Sequence, residues 1–295
     1  MREHVRPSVT RAQDVVANAS GENFPVALRV LPARYRRHLT NLYFFARLTD
    51  DLGDEARTDA SDDPGIGVGE LRLRLLDELA ADVGRIYDGG TPESPVMRAM
   101  AETVHECGVP AKPLLDLIQA NRQDQLVVTY QTFAELVRYC ELSANPVGQI
   151  VLRIFGAATP ERVALSDSIC TALQLAEHWQ DVAEDLAAGR IYLPGEDMER
   201  YGCTKADLAA PSAGSAVREL MTFEANRAAG LLDEGAPLVG TLRGAARLAI
   251  AGYLAGGRAA LAAIRAQQYD VLTGTPRPRK QRLAGELVKA YVRGR

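Results

Sequence analysis

Apolar residues recur every three to four positions through most of the chain, in stretches rich in Ala, Leu, Arg and Glu. That is the period of one buried helix face, and the alternation of half-buried strands is nearly absent. The pattern predicts an all-α fold. Helices are expected over 33–55, 70–86, 94–106, 111–125, 131–156, 160–187, 213–234 and 239–268, with a shorter one at 279–293. Pro110, Pro160 and Pro211 fall near predicted starts, where a missing backbone donor is tolerated. Asn145-Pro146 interrupts 131–156 in its middle, so a kink is expected there, facing a pocket.

The stretch from Thr58 to Gly69, with three acidic residues, a proline and three alternating glycines, reads as a surface loop. No strand precedes Gly65-Ile66-Gly67-Val68-Gly69, so it is not read as a phosphate cradle. With 295 residues, 47% of them hydrophobic, the chain can bury a large core as one domain or two tightly joined ones. A balance of 34 basic against 38 acidic residues offers no footprint for a phosphate backbone, so nucleic acid is not expected as a partner. Four cysteines without a CxxC or metal-ligand spacing suggest reduced thiols in a cytoplasm. Neither a signal peptide nor a run of about 18 apolar residues is present. The tail from Arg277 to Arg295 carries seven basic residues against Glu286 alone. It reads either as a peripheral membrane contact or as a solvated basic helix.

The chemistry concentrates in two acidic clusters. At about 100° per residue, Asp50, Asp51, Asp54 and Glu55 share one helix face about 140° wide. Neighbouring carboxylates about 5 Å apart repel by on the order of 3 kcal/mol at an effective dielectric near 20, so a partly buried stripe of this kind calls for a cation. Asp181 and Asp185 repeat the one-turn spacing at the end of an apolar run. Oxygen ligands alone suit Mg2+, which keeps several waters and takes substrate phosphates as further ligands. Two such helices facing each other would hold a diphosphate as a leaving group, with Arg47 and Arg190 the best-placed cations. A carbocation formed there needs dry, unreactive walls, for which Phe24, Tyr43, Phe44, Phe45, Phe155 and Trp179 are candidates. His178 is a candidate base for a capturing water. Asn145, or a carbonyl of Cys140 or Glu141 freed by the kink, is a candidate to position that water.

Four stretches carry a resemblance to a known family: Gly21 to Val26, Tyr43 to Glu55, Tyr139 to Gly148 and Gln174 to Pro194, the last reading QLAEHWQDVAEDLAAGRIYLP. The chain resembles the squalene/phytoene synthase family along nearly its whole length, and within it the hydroxysqualene synthase branch of bacterial hopanoid biosynthesis. The resemblance implies a single-domain helical bundle over residues 1–295 with a central channel, and a magnesium requirement. It makes Asp50, Asp51 and Asp54 the first metal-binding motif and Asp181 and Asp185 the second. It implies that Arg47, Arg190 and Tyr192 contact diphosphate and that Tyr43, Ala144, Asn145, Gly148 and Gln174 line the cavity. Glu177 stands where relatives often carry Asn and is a candidate extra metal ligand. Gln180 stands where condensing members usually carry Arg, and is counted with the substrate-contacting residues.

The branch implied would ionise presqualene diphosphate, rearrange the cation and capture it with water, without a nicotinamide cofactor. The alternatives are head-to-head condensation of prenyl diphosphates such as farnesyl diphosphate, or a catalytically silent homologue that binds a partner. Association with other squalene-pathway enzymes is a further expectation. Two positions depart from the family pattern: Gly53 inside the first motif, which suggests a helix end or bend, and Gly274, where some relatives place an Arg that reaches phosphate. Arg277 and Arg279 are candidate substitutes for that Arg.

Overall fold

The computed structural model describes residues 31–54 and 67–293. The expectations attached to Phe24, to the Gly21–Val26 stretch, to Glu55 and to 58–66 lie outside the described residues, as does the side chain of Asp54. Among the described residues the chain is all-helical. Its helices are α1 Ala33–Asp54, α2 Val68–Tyr87, α3 Pro95–Cys107, α4 Ala111–Asp124, α5 Phe133–Ser143, α6 Asn145–Ile154, α7 Pro160–Gln180, α8 Val182–Ala187, α9 Gly195–Arg200, α10 Lys205–Leu208, α11 Ser215–Gly235, α12 Leu238–Thr241, α13 Gly244–Ala266 and α14 Lys280–Arg293. One isolated parallel bridge joins Thr129 to Ile191.

Local chemistry sets many of the boundaries. Thr132 opens α5 with a reciprocal capping box: its hydroxyl accepts from the Glu135 N–H, and the Glu135 carboxylate accepts from the Thr132 N–H. Thr159 caps α7 just ahead of Pro160. Ser94 makes no side-chain cap at the start of α3. Its work is done from α2 by the buried Asp82, whose carboxylate accepts from the N–H groups of Glu93 at 2.8 Å and Ser94 at 2.9 Å. Helix α2 starts earlier than expected, with Gly67 as its N-cap and Val68 and Gly69 in its first turn.

Three expected helices are each divided. The kink foreseen at Asn145-Pro146 separates α5 from α6 at Ala144. The Ala144 N–H still donates to the Cys140 carbonyl at 3.0 Å, so that carbonyl is not freed as expected. The stretch expected as one helix over 160–187 breaks at Asp181, whose ψ of 18° leaves the helical range. The last long stretch breaks before Gly244, at the extended Leu242 and Arg243.

Helix α7 is central, packing against α5, α6, α11, α12 and α13. A helix covered from several sides is buried around most of its circumference: Ile169, Ala172, Leu175, Ala176 and Trp179 form the apolar face, and the buried Ser166, Thr171 and His178 extend it to either side. Helices α1, α2, α3 and α4 pack together beside it. The contact of α6 with α7 is close because Gly148 has no side chain: a Cβ there would stand 2.5 Å from both Cys170 Sγ and Ser166 Oγ. Helix α14 lies along α13, with Ala290 buried and Arg247 stacked over the Tyr291 ring, so one face of the basic tail is committed to the protein. Its outer face exposes Val288 and Val292. No described helix is long and apolar enough to cross a membrane.

Gly148→Ala is expected to destabilise the fold by about 1–3 kcal/mol through overpacking. This would be read as a lower urea midpoint; an unchanged midpoint would mean that α6 and α7 separate at no cost.

Candidate active site

The first acidic cluster depends on a close helix approach. Helix α1 is described as far as Asp54, one residue beyond the Gly53 where the sequence suggested a helix end, and a Cβ at Gly53 would overlap the Asn121 side-chain oxygen, so glycine here also permits packing against α4. At that distance Asn121 Nδ2 donates to Asp50 Oδ1 at 3.2 Å, and Gln125 Nε2 donates to the Gly53 carbonyl at 2.8 Å. Asp50 is exposed and Asp51 half-buried. Arg47 Nε lies 2.8 Å from Asp51 Oδ1, an ion pair one turn apart on the same helix.

Asp50 opens onto a polar compartment of about 240 Å3 that also involves Thr49, Asn121, Asp124, Tyr139 and Glu177. An apolar compartment of about 260 Å3 lies between α6, α7 and α13, walled by Val151, Ile169, Leu173, Ile250 and Tyr253 among others. Ser143, Val147, Gln174 and Glu177 line both, so the two adjoin and outline a channel with a carboxylate-rich end and a greasy end. Together they reach the size of a small-molecule site. Thr49 is kept from competing for ligands by donating its hydroxyl to the Phe45 carbonyl at 2.8 Å.

Aromatic groups join this channel to the second acidic cluster. Tyr139 donates its hydroxyl to Asp124 at 2.9 Å, and its ring lies 5.8 Å from that of Tyr192. Tyr192 stacks on His178 at 3.7 Å with an interplanar angle of 11°. Burial pushes both tyrosine hydroxyls well above the usual range, so they remain protonated donors. Burial, assisted by Arg190, drives His178 down to about 3, leaving a neutral ring. One ring nitrogen meets the Gln174 amide at 3.2 Å and the other lies 3.9 Å from Asp185. His178 borders neither compartment. Its place is in a small cleft with Asp185, Arg190 and Tyr192, so the expectation of a base at the cation is not met.

Asp185 lines that cleft, Asp181 lies one turn before it, neither borders the two compartments, and both are crowded. Burial, then Asp181, pushes the Asp185 carboxyl up to about 7 against the opposing pull of Arg190. Burial, then Glu184, raises Asp181, while the nearby Thr275 hydroxyl lowers it. Thr275 also donates to Glu184 at 2.8 Å, and Gln180 donates to the Pro276 carbonyl, so the segment after α13 closes over this cluster. Gln180 thus holds the chain and lines neither compartment, and Arg277 and Arg279 are exposed.

The other expected residues divide. Ala144, Gly148 and Gln174 line the channel. Asn145 does not: it is buried between helices, its side-chain oxygen accepting from Thr171 at 3.0 Å. Tyr43 packs edge-on to Phe44 outside the lining. Phe45 and Trp179 are core residues, and Phe155 packs on Tyr35, so among the described residues none of the expected aromatics lines the two compartments. The lining aromatics are Tyr139 and Tyr253. Sequence reasoning missed these two as well as Asn121, Asp124 and Ser143; Tyr139 begins one of the family-like stretches, which was its one available signal.

Whether these residues suit magnesium is answered by their chemistry. The donors are carboxylates, and at Asp181 and Asp185 they are held in surroundings that penalise their charge, a penalty a divalent cation relieves. Among the described residues no three His, Cys, Asp or Glu side chains already converge on one point. An ion that retains waters and takes phosphate oxygens fits such an open set.

Because the Asp185 pKa is raised on folding, its contribution to stability is full below about 4 and is lost as pH rises through about 7. In metal-free protein, Asp185→Asn is therefore expected to raise stability by more than about 1 kcal/mol at pH 8 and to change it little at pH 4. Urea denaturation at the two pH values checks this, and an equal effect at both would contradict it.

Comparison with known proteins agrees with this architecture. Residues 17–284 match the squalene/phytoene synthase family. The chain is 34% identical over 226 residues to a hydroxysqualene synthase of Rhodopseudomonas palustris, covering 75% of this chain and 72% of that one. It is 30% identical over 218 residues to a presqualene diphosphate synthase of the same organism, covering 74% and 73%. The structure of squalene synthase HpnC from Alicyclobacillus acidocaldarius superposes with a TM-score of 0.76 at 39% identity, over 87% of this chain and 94% of that one. The channel thus sits in a helical fold shared with enzymes of isoprenoid synthesis, and the chain belongs to the squalene/phytoene synthase family.

Proposed function

We propose that this enzyme ionises presqualene diphosphate with magnesium bound and captures the rearranged cation with water, giving hydroxysqualene and diphosphate. The observation that carries the reading is the two-ended channel. Asp50, Asp124 and Glu177 gather at one end, and Val151, Ile169, Leu173 and Ile250 wall the other. A substrate with an anionic head and a long apolar body matches that polarity. The similarity to hydroxysqualene synthases at 31–34% identity supports the branch.

Asp50, Asp51 and Asp54 from α1, with Glu177 from α7, Asp181 from the break after it and Asp185 from α8, would hold the metal. Bound there, magnesium would supply Lewis-acid stabilisation of the departing diphosphate. Arg190, whose charge already acts on Asp185, is placed to share the negative charge that develops. The aliphatic part of the wall, Val151, Ile169, Leu173 and Ile250, offers the cation no nucleophile and limits the water that reaches it. Ionisation followed by hydration changes no oxidation level overall, so the reading needs no nicotinamide. It places the enzyme in the cytoplasm, beside squalene-pathway enzymes that supply its substrate and take its product.

A second reading, condensation of farnesyl diphosphate to presqualene diphosphate, draws on the presqualene diphosphate synthase relative. Separate incubations with the two diphosphates and magnesium, without NADPH, distinguish them. Hydroxysqualene from presqualene diphosphate supports the first reading. Consumption of farnesyl diphosphate alone moves the enzyme to the second. Asp50→Asn and Asp185→Asn are expected to lower kcat by about 100-fold or more, and chelation with EDTA to abolish turnover until magnesium is restored. Turnover undiminished by EDTA would contradict the metal assignment.

A further inference from the structure

Ser143 is the last residue of α5, at the helix break, and it lines both compartments of the channel. Its hydroxyl oxygen is buried and has no hydrogen-bond partner in the protein. That is not the usual fate of a helical hydroxyl. Thr49, Ser168 and Thr222 each donate to the carbonyl four residues back, at 2.8, 3.4 and 2.7 Å. A buried hydroxyl left without that bond carries a desolvation cost unless water or ligand satisfies it.

The other residues common to both compartments narrow the choice further. Val147 offers no polar atom. Gln174 has one end of its amide engaged by His178, and the other end remains to serve the channel. Glu177, the fourth residue common to both, is a carboxylate that joins Asp50 and Asp124 at the charge-rich end, and the test below separates it from Ser143. A water at the boundary thus meets a hydroxyl able both to donate and to accept, and an amide fixed in place by a stacked imidazole.

We propose that Ser143, supported by Gln174, holds the water that captures the carbocation, so that Ser143 is the positioning residue deciding between alcohol and hydrocarbon products. This rests on the water-capture reading above. The carbon–oxygen bond to diphosphate breaks with its electron pair going to the diphosphate. A lone pair of the held water then forms the new carbon–oxygen bond, and the proton lost from that oxygen passes to the released diphosphate. Without a held water, the cation instead loses a proton from a neighbouring carbon to the same diphosphate, leaving an alkene. A water held on one side of the channel also delivers oxygen to one face of the cation, so the alcohol is a single enantiomer.

The test uses full-length enzyme, magnesium and presqualene diphosphate in 18O-labelled water, and measures the labelled alcohol as a fraction of all products and its enantiomeric ratio. Ser143→Ala is expected to lower the alcohol fraction by about fivefold, the effect of one neutral hydrogen bond, with loss of enantiomeric purity. Ser143→Thr and Ser143→Val form a second pair of matched shape: Thr should keep the wild-type fraction and Val should lose it. These ratios are read among products formed, so a slower variant still reports. If wild-type enzyme makes no alcohol, the water-capture reading fails and this inference with it. Alcohol from the wild type with the same fraction and purity from Ser143→Ala, or from both Thr and Val, overturns the inference alone. So does a fall seen in Glu177→Gln and not in Ser143→Ala, which would assign the water to the carboxylate.

Discussion

Carboxylates that share a half-buried surface repel one another, and withdrawal from water makes each less willing to ionise. Asp181 and Asp185 show both effects, and the rest of the site is arranged around containing them. Arg190 opposes the rise at Asp185, while Thr275 lowers Asp181 and holds Glu184. At the first cluster Asn121 steadies Asp50, an approach that only the bare Cα of Gly53 permits. The fold thus holds negative charge near an apolar channel without neutralising it fully, a state that the proposed metal and diphosphate would complete.

The interruptions in the helices are as important as the helices. The break at Ala144 turns the end of α5 toward the channel and brings Ser143, Ala144, Val147 and Gly148 into its wall. The break at Asp181 ends the long central helix at the second acidic cluster, where the segment after α13 can cross it through Gln180 and Thr275. Between these two points, the stack of His178 on Tyr192, with Tyr139 and Tyr130 alongside, links the channel to that cluster, and its tyrosine hydroxyls stay protonated. Polar groups at the channel are therefore held by neighbours, and motion of one is resisted by several others.

Local pattern made much of this legible. The helical period recovered the long helices, and Pro146 announced the break before α6, because both depend on residues close in sequence. The break at Asp181 has no proline or glycine to mark it, and it was read as continuous helix. The short α9 and α10 were also missed, being too brief to show a period. At the site, aspartates at one-turn spacing could be read directly. Asn121, Asp124 and Tyr253 could not, because packing of α4 and α13 brings them to the channel and no local motif records it. The aromatic walls were misassigned for a related reason: Phe45 and Trp179 have the composition of a cation pocket and of a core alike, and only tertiary structure shows them in the core. Asn145 was similarly placed by the kink but turned to Thr171 instead of the channel.

The account stands on one spatial claim, that the diphosphate sits at the carboxylate-rich end and the hydrocarbon fills the apolar end of the same channel. The most direct measurement is a crystal structure of the protein with magnesium and a non-ionisable thiodiphosphate analogue of the substrate. The account predicts metal and diphosphate bounded by Asp50 and Asp185, with the hydrocarbon running past Val147 along Val151, Ile169 and Leu173. A hydrocarbon lying outside this channel, or a diphosphate held away from both acidic clusters, would contradict it.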